Sequence, residues 1–325
     1  VVKFPLIFLL FAQLPPVFRS DVQLVTVDVE VLEKSTGRVI DSLGPQDFVI
    51  FDEDSPREIK VFEVEPLPLD VVFLHYTKGL IRVQSDIEQI FAGLEAAVRE
   101  LRPGDRAAVL RSDSSANADL AMTGDLAAVE RVLLMPRFRR QALGRGDRLF
   151  DAVRAATELF PKPRDPVRRR AIVLTSDDVE RKSRTRLATL ITELLETSAT
   201  LDAAVLITEQ PSGRFEGATL PIPGIPGTRQ SIRIGGGMPS GESVLPAVEA
   251  TGGEVVPGDK FRDEFPRMFR RLRARYRLGF YVPPSKVRAF RTIKVMLTEQ
   301  ARARFPDTLI RARSGYYTQP LAFTK

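Results

Sequence analysis

The sequence predicts an α/β protein: a doubly wound, mostly parallel sheet joined to a β-sandwich built from both chain ends. Three observations point there. Between Leu69 and about Arg275, short apolar strands alternate with amphipathic helices, the pattern of a sheet covered on both faces. The segments on either side show the two-residue alternation of half-buried strands. A composition of 43% hydrophobic and 28% charged residues over 325 positions suits globular structure, in about two domains by length. The chain has no Cys and a single His, which excludes disulfides, thiolate metal sites and a Cys nucleophile, and leaves any His-dependent chemistry to His75.

Residues 1–20 place Lys3 ahead of the apolar run Phe4 to Phe11, too short to span a bilayer, and read as a signal peptide cleaved between Ala12 and Ser20. Export to the periplasm or outside the cell follows. From Leu24, Val25, Val27, Val29 and Val31 alternate with polar residues as a strand with one buried face. Phe48 to Phe51 and Ile59 to Val64 read as strands joined through Asp52-Glu53-Asp54-Ser55-Pro56 as a hairpin. That acidic stretch lacks the ligand spacing of a calcium loop and reads as a solvated turn. Pro66 and Pro68 mark a linker, dividing a sandwich of residues 21–66 and 276–325 from an α/β unit of residues 67–275.

Within that unit, Val71 to Leu74 form a buried strand. Ile87, Ile90, Phe91, Leu94, Val98 and Leu101 follow as a helical stripe ended by Pro103-Gly104-Asp105. Strands are expected at 107–110, 118–122, 171–175, 203–207 and 253–256, and helices at 126–134, 149–160, around Leu187 to Leu194, at 243–250 and at 262–275. The Gly- and Pro-rich stretch 208–240 has neither period and reads as a long loop. β character returns at 277–282, 292–297 and 308–312. Gly236 to Ser243 mimics a phosphate-binding loop, but Glu242 stands where the phosphate-reaching Lys must be.

Several phrases in this order resemble the von Willebrand factor A-like domains of secreted bacterial proteins. They are Gly44 to Glu53, Asp151-Ala152, Thr251-Gly252-Gly253, Tyr276 to Tyr281 and Arg313 to Tyr317. The resemblance implies a Rossmann-like sheet whose carboxyl edge carries a metal-ion-dependent adhesion site. There an Asp-x-Ser-x-Ser loop, a Thr and a later Asp hold Mg²⁺ or a similar ion. In this sequence the first loop, aligned on Gly79, puts Tyr76, Lys78 and Leu80 at the three ligand positions. Asp147 falls where the Thr is expected and Ser176 where the late Asp should be. Sliding by one residue gives His75, Thr77 and Gly79, still without a carboxylate, and Asp70 lies at the far end of the strand. The pattern therefore predicts a degenerate site with no metal and no cofactor, in which Lys78, paired with Asp147, Asp177 or Asp178, stands in for the ion.

The resemblance further implies a non-enzymatic protein-binding module acting through the loop edge of residues 75–80, 112–117, 143–148 and 176–184. Its candidate contact residues are His75, Tyr76, Thr77, Lys78, Arg145, Asp147, Arg148, Ser176, Asp177 and Asp178. Arg145, Arg148 and Lys78 could take a partner carboxylate directly, because guanidinium groups bind carboxylates bidentately. A competing reading comes from charge. Residues 131–148 and 262–277 each net +5, and Lys162, Arg164, Arg168, Arg169 and Arg170 form a third basic cluster. If the first and third shared the carboxyl edge, they would attract a polysaccharide or lipid headgroups. Nucleic acid does not fit an exported chain lacking stacking aromatics beside its arginines. A hydrolase centred on His75 is a third possibility; no Gly-x-Ser-x-Gly elbow accompanies it.

Overall fold

The computed structural model describes residues 23–76, 84–112, 116–135, 148–176, 178, 180–205, 242–257, 260–283, 285 and 287–318. The expected signal peptide and the 208–240 loop lie outside them. The α/β unit is a six-stranded sheet. Its strands are β5 (Leu69–Tyr76), β6 (Arg106–Ser112), β7 (Ala116–Thr123), β8 (Arg169–Ser176), β9 (Ala199–Val205) and β10 (Val255–Pro257). They are ordered β10-β9-β8-β5-β6-β7. Numbered within the sheet this is the 3-2-1-4-5-6 doubly wound order, the arrangement that the von Willebrand factor A-like resemblance implies. β7 departs from the expected parallel winding and runs antiparallel to β6. Only residues 113–115 separate the two strands, too few for the crossover that a parallel pair requires.

Both faces of the central strand are covered, so its apolar run divides by parity. Leu69, Val71 and Phe73 pack under helices α1 (Gln84–Val98), α2 (Leu126–Leu133) and α6 (Phe261–Arg273), against Phe91, Val129 and Phe265 among others. Val72, Leu74 and Tyr76 pack on the other side, under α3 (Leu149–Glu158), α4 (Leu187–Thr197) and α5 (Leu245–Ala250). All eight positions of β5 and of β8 are buried, as strands sandwiched between helix layers must be.

The chain ends form two four-stranded antiparallel sheets, ordered β13-β1-β11-β4 and β14-β12-β2-β3. The first contains β1 (Gln23–Glu33), β4 (Val61–Glu63), β11 (Tyr276–Val282) and β13 (Thr308–Arg311). The second contains β2 (Phe48–Asp52), β3 (Ser55–Arg57), β12 (Phe290–Leu297) and β14 (Gly315–Tyr317). The expected 48–51/59–64 hairpin is corrected here. β2 turns back into β3, where Pro56 sits on the sheet edge, while β4 crosses over and pairs with β11. A proline is tolerated on an edge strand because no neighbour needs its missing N–H. β14 and the short helix α7 (Glu299–Arg304), capped by the Thr298 hydroxyl, were not expected from periodicity; at three and six residues they are too short to show one.

Between these sheets, Val25, Val27, Val29, Ile50, Leu278 and Phe280 form a second core. Tyr276 closes it beside Phe48, with ring centroids 5.1 Å apart. Its hydroxyl donates to the Ile40 carbonyl at 2.8 Å and accepts the Leu43 N–H at 3.0 Å, and burial pushes the phenol up to about 12. Tyr276→Phe keeps the ring and orphans both backbone groups. It should cost about 1–2 kcal/mol, read as a lower urea midpoint with an unchanged slope.

The two units meet through buried ion pairs. Arg271 of α6 bonds Glu254 at 2.9 Å, and Arg311 of β13 bonds both Glu30 of β1 at 2.8 Å and Glu254 at 3.2 Å. Asp28 of β1 takes Arg277 through both carboxylate oxygens and has the Arg169 Nε 3.4 Å away.

Candidate functional site at the carboxyl edge

Tyr76, Ser112, Ser176 and Val205 end their strands side by side, which sets the carboxyl edge where ligands of open α/β sheets bind. Tyr76 is fully buried on the α3/α4/α5 side, so the first ligand position presents a packed phenol. Ser176 is also fully buried, and its hydroxyl accepts the Asp178 N–H at 2.9 Å. Asp178 takes a left-handed backbone, φ 54°, which Asp tolerates better than most side chains. Its carboxylate turns toward the start of α5, accepting from the Ser243 hydroxyl at 2.6 Å and the Val244 N–H at 2.8 Å. Thr77, Lys78, Leu80, Arg145, Asp147 and Asp177 lie outside the described residues. The described part of the ligand set does not fit a hard divalent ion. It offers a buried phenol, a hydroxyl already accepting an N–H, and a carboxylate engaged elsewhere, whereas such an ion needs several free oxygens.

His75 does not face the rim. It extends the parity of Val71 and Phe73 toward α1, where its ring lies 6.1 Å from that of Phe91. Burial, aided by the nearby Arg111 charge, pushes its pKa down to about 4, so the imidazole is neutral near pH 7.

The other acids of this edge hold the loop between β8 and α4. Glu180, 5% exposed, accepts the Phe150 N–H at 2.8 Å through Oε2, capping the first turn of α3 from 30 residues away. The same carboxylate takes the Ser183 hydroxyl and N–H, each at 2.7 Å. Asp151 accepts the N–H groups of Arg184 at 3.1 Å and Thr185 at 2.9 Å. Burial opposes its charge, but the Thr185 and Arg184 bonds and the neighbouring Arg148 hold its pKa below the usual carboxylate range.

With the carboxylates engaged by backbone, guanidinium groups face out. Arg148, Arg154, Arg184 and Arg186 line an open concavity of about 650 Å³ beside Asp151 and Glu193. Arg154 is bound by Glu193 at 3.0 Å. Arg148, Arg184 and Arg186 are exposed, and among the described residues no hydrogen bond or ion pair involves their side chains. Arg148 and Arg186 are also the N-cap residues of α3 and α4, so two helix N-termini add their partial positive charge to the same place. Sequence reasoning singled out Arg148, took in Arg184 only as the end of the 176–184 loop, and missed Arg154 and Arg186. The available signal was the run Arg181 to Arg186, four positive charges in six residues just before a helical stripe.

The three basic clusters do not pool. Arg168, Arg169 and Arg170 precede or begin β8, at the amino edge of the sheet, opposite to Arg148. There Arg168 and Arg106 both bind Asp70, at 2.7 and 2.8 Å. In the 262–277 cluster, Arg271, Arg273, Arg275 and Arg277 are buried. The shared carboxyl-edge field expected of the first and third clusters is therefore not formed.

No family model matches the chain, and no curated protein does. Similar solved structures exist at low identity. A von Willebrand factor type A protein from Catenulispora acidiphila is 10% identical, over 94% of this chain and 76% of that one, with a TM-score of 0.45. The conserved hypothetical protein BatB from Bacteroides thetaiotaomicron is 17% identical, over 62% and 99%, at 0.41. Proximal thread matrix protein 1 from the mussel byssus, solved with a zinc-occupied metal-ion-dependent adhesion motif, is 12% identical over 69% and 50%, at 0.45. These are likenesses of fold, and no ligand passes from them to this chain.

Proposed function

We propose that the chain is an exported, non-enzymatic protein-interaction module that grips an acidic segment of its partner with fixed arginines and without a bridging ion. One observation carries this reading: at the carboxyl edge the described carboxylates bind backbone N–H groups, while Arg148, Arg184 and Arg186 stand exposed around one concavity. A partner's Asp or Glu side chain would meet bidentate donors there. A neutral, buried His75 on the opposite side of the central strand supports binding over hydrolysis. A polysaccharide or headgroup surface would need a wider positive field, and Arg271, Arg273, Arg275 and Arg277 of the 262–277 cluster are buried and add nothing to it. No helix among the described residues is long and apolar enough to cross a membrane.

The test is titration with a glutamate-rich peptide. Affinity should fall as ionic strength rises and should be the same in EDTA and in Mg²⁺. The combined variant Arg148→Ala, Arg184→Ala, Arg186→Ala should lose about a hundredfold or more, since each charge-assisted contact contributes roughly 1.5–3 kcal/mol. Unchanged binding by that variant, or binding that requires Mg²⁺, would refute the reading.

A further inference from the structure

The junction between the α/β unit and the sandwich contains a cavity of about 20 Å³, bordered by Thr26, Asp28, Arg164, Ser198, Thr200 and Arg313. One water needs roughly 10–15 Å³, so there is room for one water or one monatomic ion. The charge around it is unbalanced. Asp28 is occupied by Arg277, which binds both of its oxygens, and by Arg169. That leaves two guanidinium groups in need of an anion. Arg313 donates to the Thr26 carbonyl at 2.6 Å and to the Ser198 hydroxyl at 3.4 Å, both neutral, while its buried Nε–H has no acceptor among the described residues. Arg164 makes no hydrogen bond or ion pair among the described residues and stands exposed at the mouth. Burial and the like charges of Arg164 and Arg277 act against the charged form of Arg313, with Asp28 opposing them.

We infer that this cavity is a halide site, in which an ion of chloride's size sits between Arg313 and Arg164 and ties the sandwich to the α/β unit. A water would leave the two cations on the cavity wall without a counter-charge. The Asp28 carboxylate on the cavity wall repels an anion, yet Arg277 and Arg169 already neutralise it. The site is independent of the carboxyl-edge concavity and makes no use of it.

The experiment is thermal unfolding of the whole chain at constant ionic strength, with sodium gluconate, whose anion is too large for the cavity, replaced stepwise by sodium chloride or bromide. The midpoint should rise saturably, by about 2–4 °C once halide exceeds its dissociation constant tenfold. Arg164→Gln changes an exposed side chain without hydrogen bonds, so it should fold normally and lose the halide response. Bromide should also give an anomalous-scattering peak beside Arg313 in crystals. Equal midpoints in chloride and gluconate, or a response that survives Arg164→Gln, would overturn the site.

Discussion

Alanine at Gly253 should leave little stably folded protein. A Cβ there would stand 1.9 Å from the carbonyl oxygen of Leu201 and 2.8 Å from its carbonyl carbon. Both are backbone atoms of β9, which cannot step aside. Leu201 is registered against Ile172 of β8, its N–H donates to the Thr251 hydroxyl at 3.0 Å, and Ala203 donates to the Glu254 carbonyl at 2.9 Å. On the far side of the same turn, Gly252 at φ 71° approaches the Ala312 backbone, where an added Cβ would meet Cα at 2.8 Å. The turn thus holds α5, β9 and the sandwich together, and relief of the clash means separating at least one pair. A cost above ~3 kcal/mol is expected, a large share of the ~5–15 kcal/mol that keeps a domain folded. Gly124→Ala is the control. Its nearest neighbour would be 3.8 Å away, so its midpoint should stay within ~0.5 kcal/mol of the parent in urea unfolding. Near-parental melting of Gly253→Ala would show that β9 can shift.

That turn also explains what the sequence could and could not disclose. The phrases carrying the family resemblance, Thr251-Gly252-Gly253, Tyr276 to Tyr281 and Arg313 to Tyr317, are far apart in the chain and converge at the junction. Ser314 donates to the Ala250 carbonyl, Arg275 to the Gly252 carbonyl and Tyr316 to Asp52. Of these, Ser314 joins the sandwich to the α/β unit, Arg275 braces the Gly252 turn inside the α/β unit, and Tyr316 joins the two ends of the chain inside the sandwich. The layers were legible because burial on two faces leaves a local signature: uninterrupted apolar runs in β5 and β8, and three-to-four spacing in α1 and α4. Charge left no such signature. Arg277 and Asp28 are 249 positions apart, Arg311 and Glu30 are 281, and in composition each reads as a solvated surface residue. The carboxyl edge was hidden for the same reason. Which way Glu180 or Asp178 points depends on the N–H groups of Phe150 and Val244, which only the folded chain brings near.

Asp202 should make the protein less stable as pH rises from about 4 to about 7. It sits in the middle of β9, fully buried, with Oδ1 accepting the Glu254 N–H at 2.9 Å and Oδ2 without a partner among the described residues. Arg275 favours its charge; Glu254 from the approach to β10 and Glu30 from β1 oppose it. Burial, the largest cause, acts with the two carboxylates, outweighs Arg275 and the Glu254 N–H bond, and pushes the pKa up to about 7. An unfolded Asp titrates near ~3.9, so across the interval the folded chain holds a proton that the unfolded chain has released. Stability is therefore fully present below the unfolded value and is lost as pH climbs through the folded one. The loss approaches roughly 4 kcal/mol at its plateau. Glu254, also raised by burial and by Glu30 against the pull of Arg271 and Arg311, adds to the same trend. At the acid end Asp28 acts with the opposite sign. Burial alone would raise its pKa, but Arg169 and Arg277 bring it down to about 2, so what it contributes is lost as pH falls from about 4 toward that value. Asp202→Asn keeps the Oδ1 acceptor and cannot ionise. It should gain on the parent steadily between pH 5 and 8 in urea unfolding, while retaining the weaker slope due to Glu254. A gap between the two that stays constant over that range would mean that Asp202 is already ionised in the folded chain and that Arg275 stabilises it more than burial opposes it.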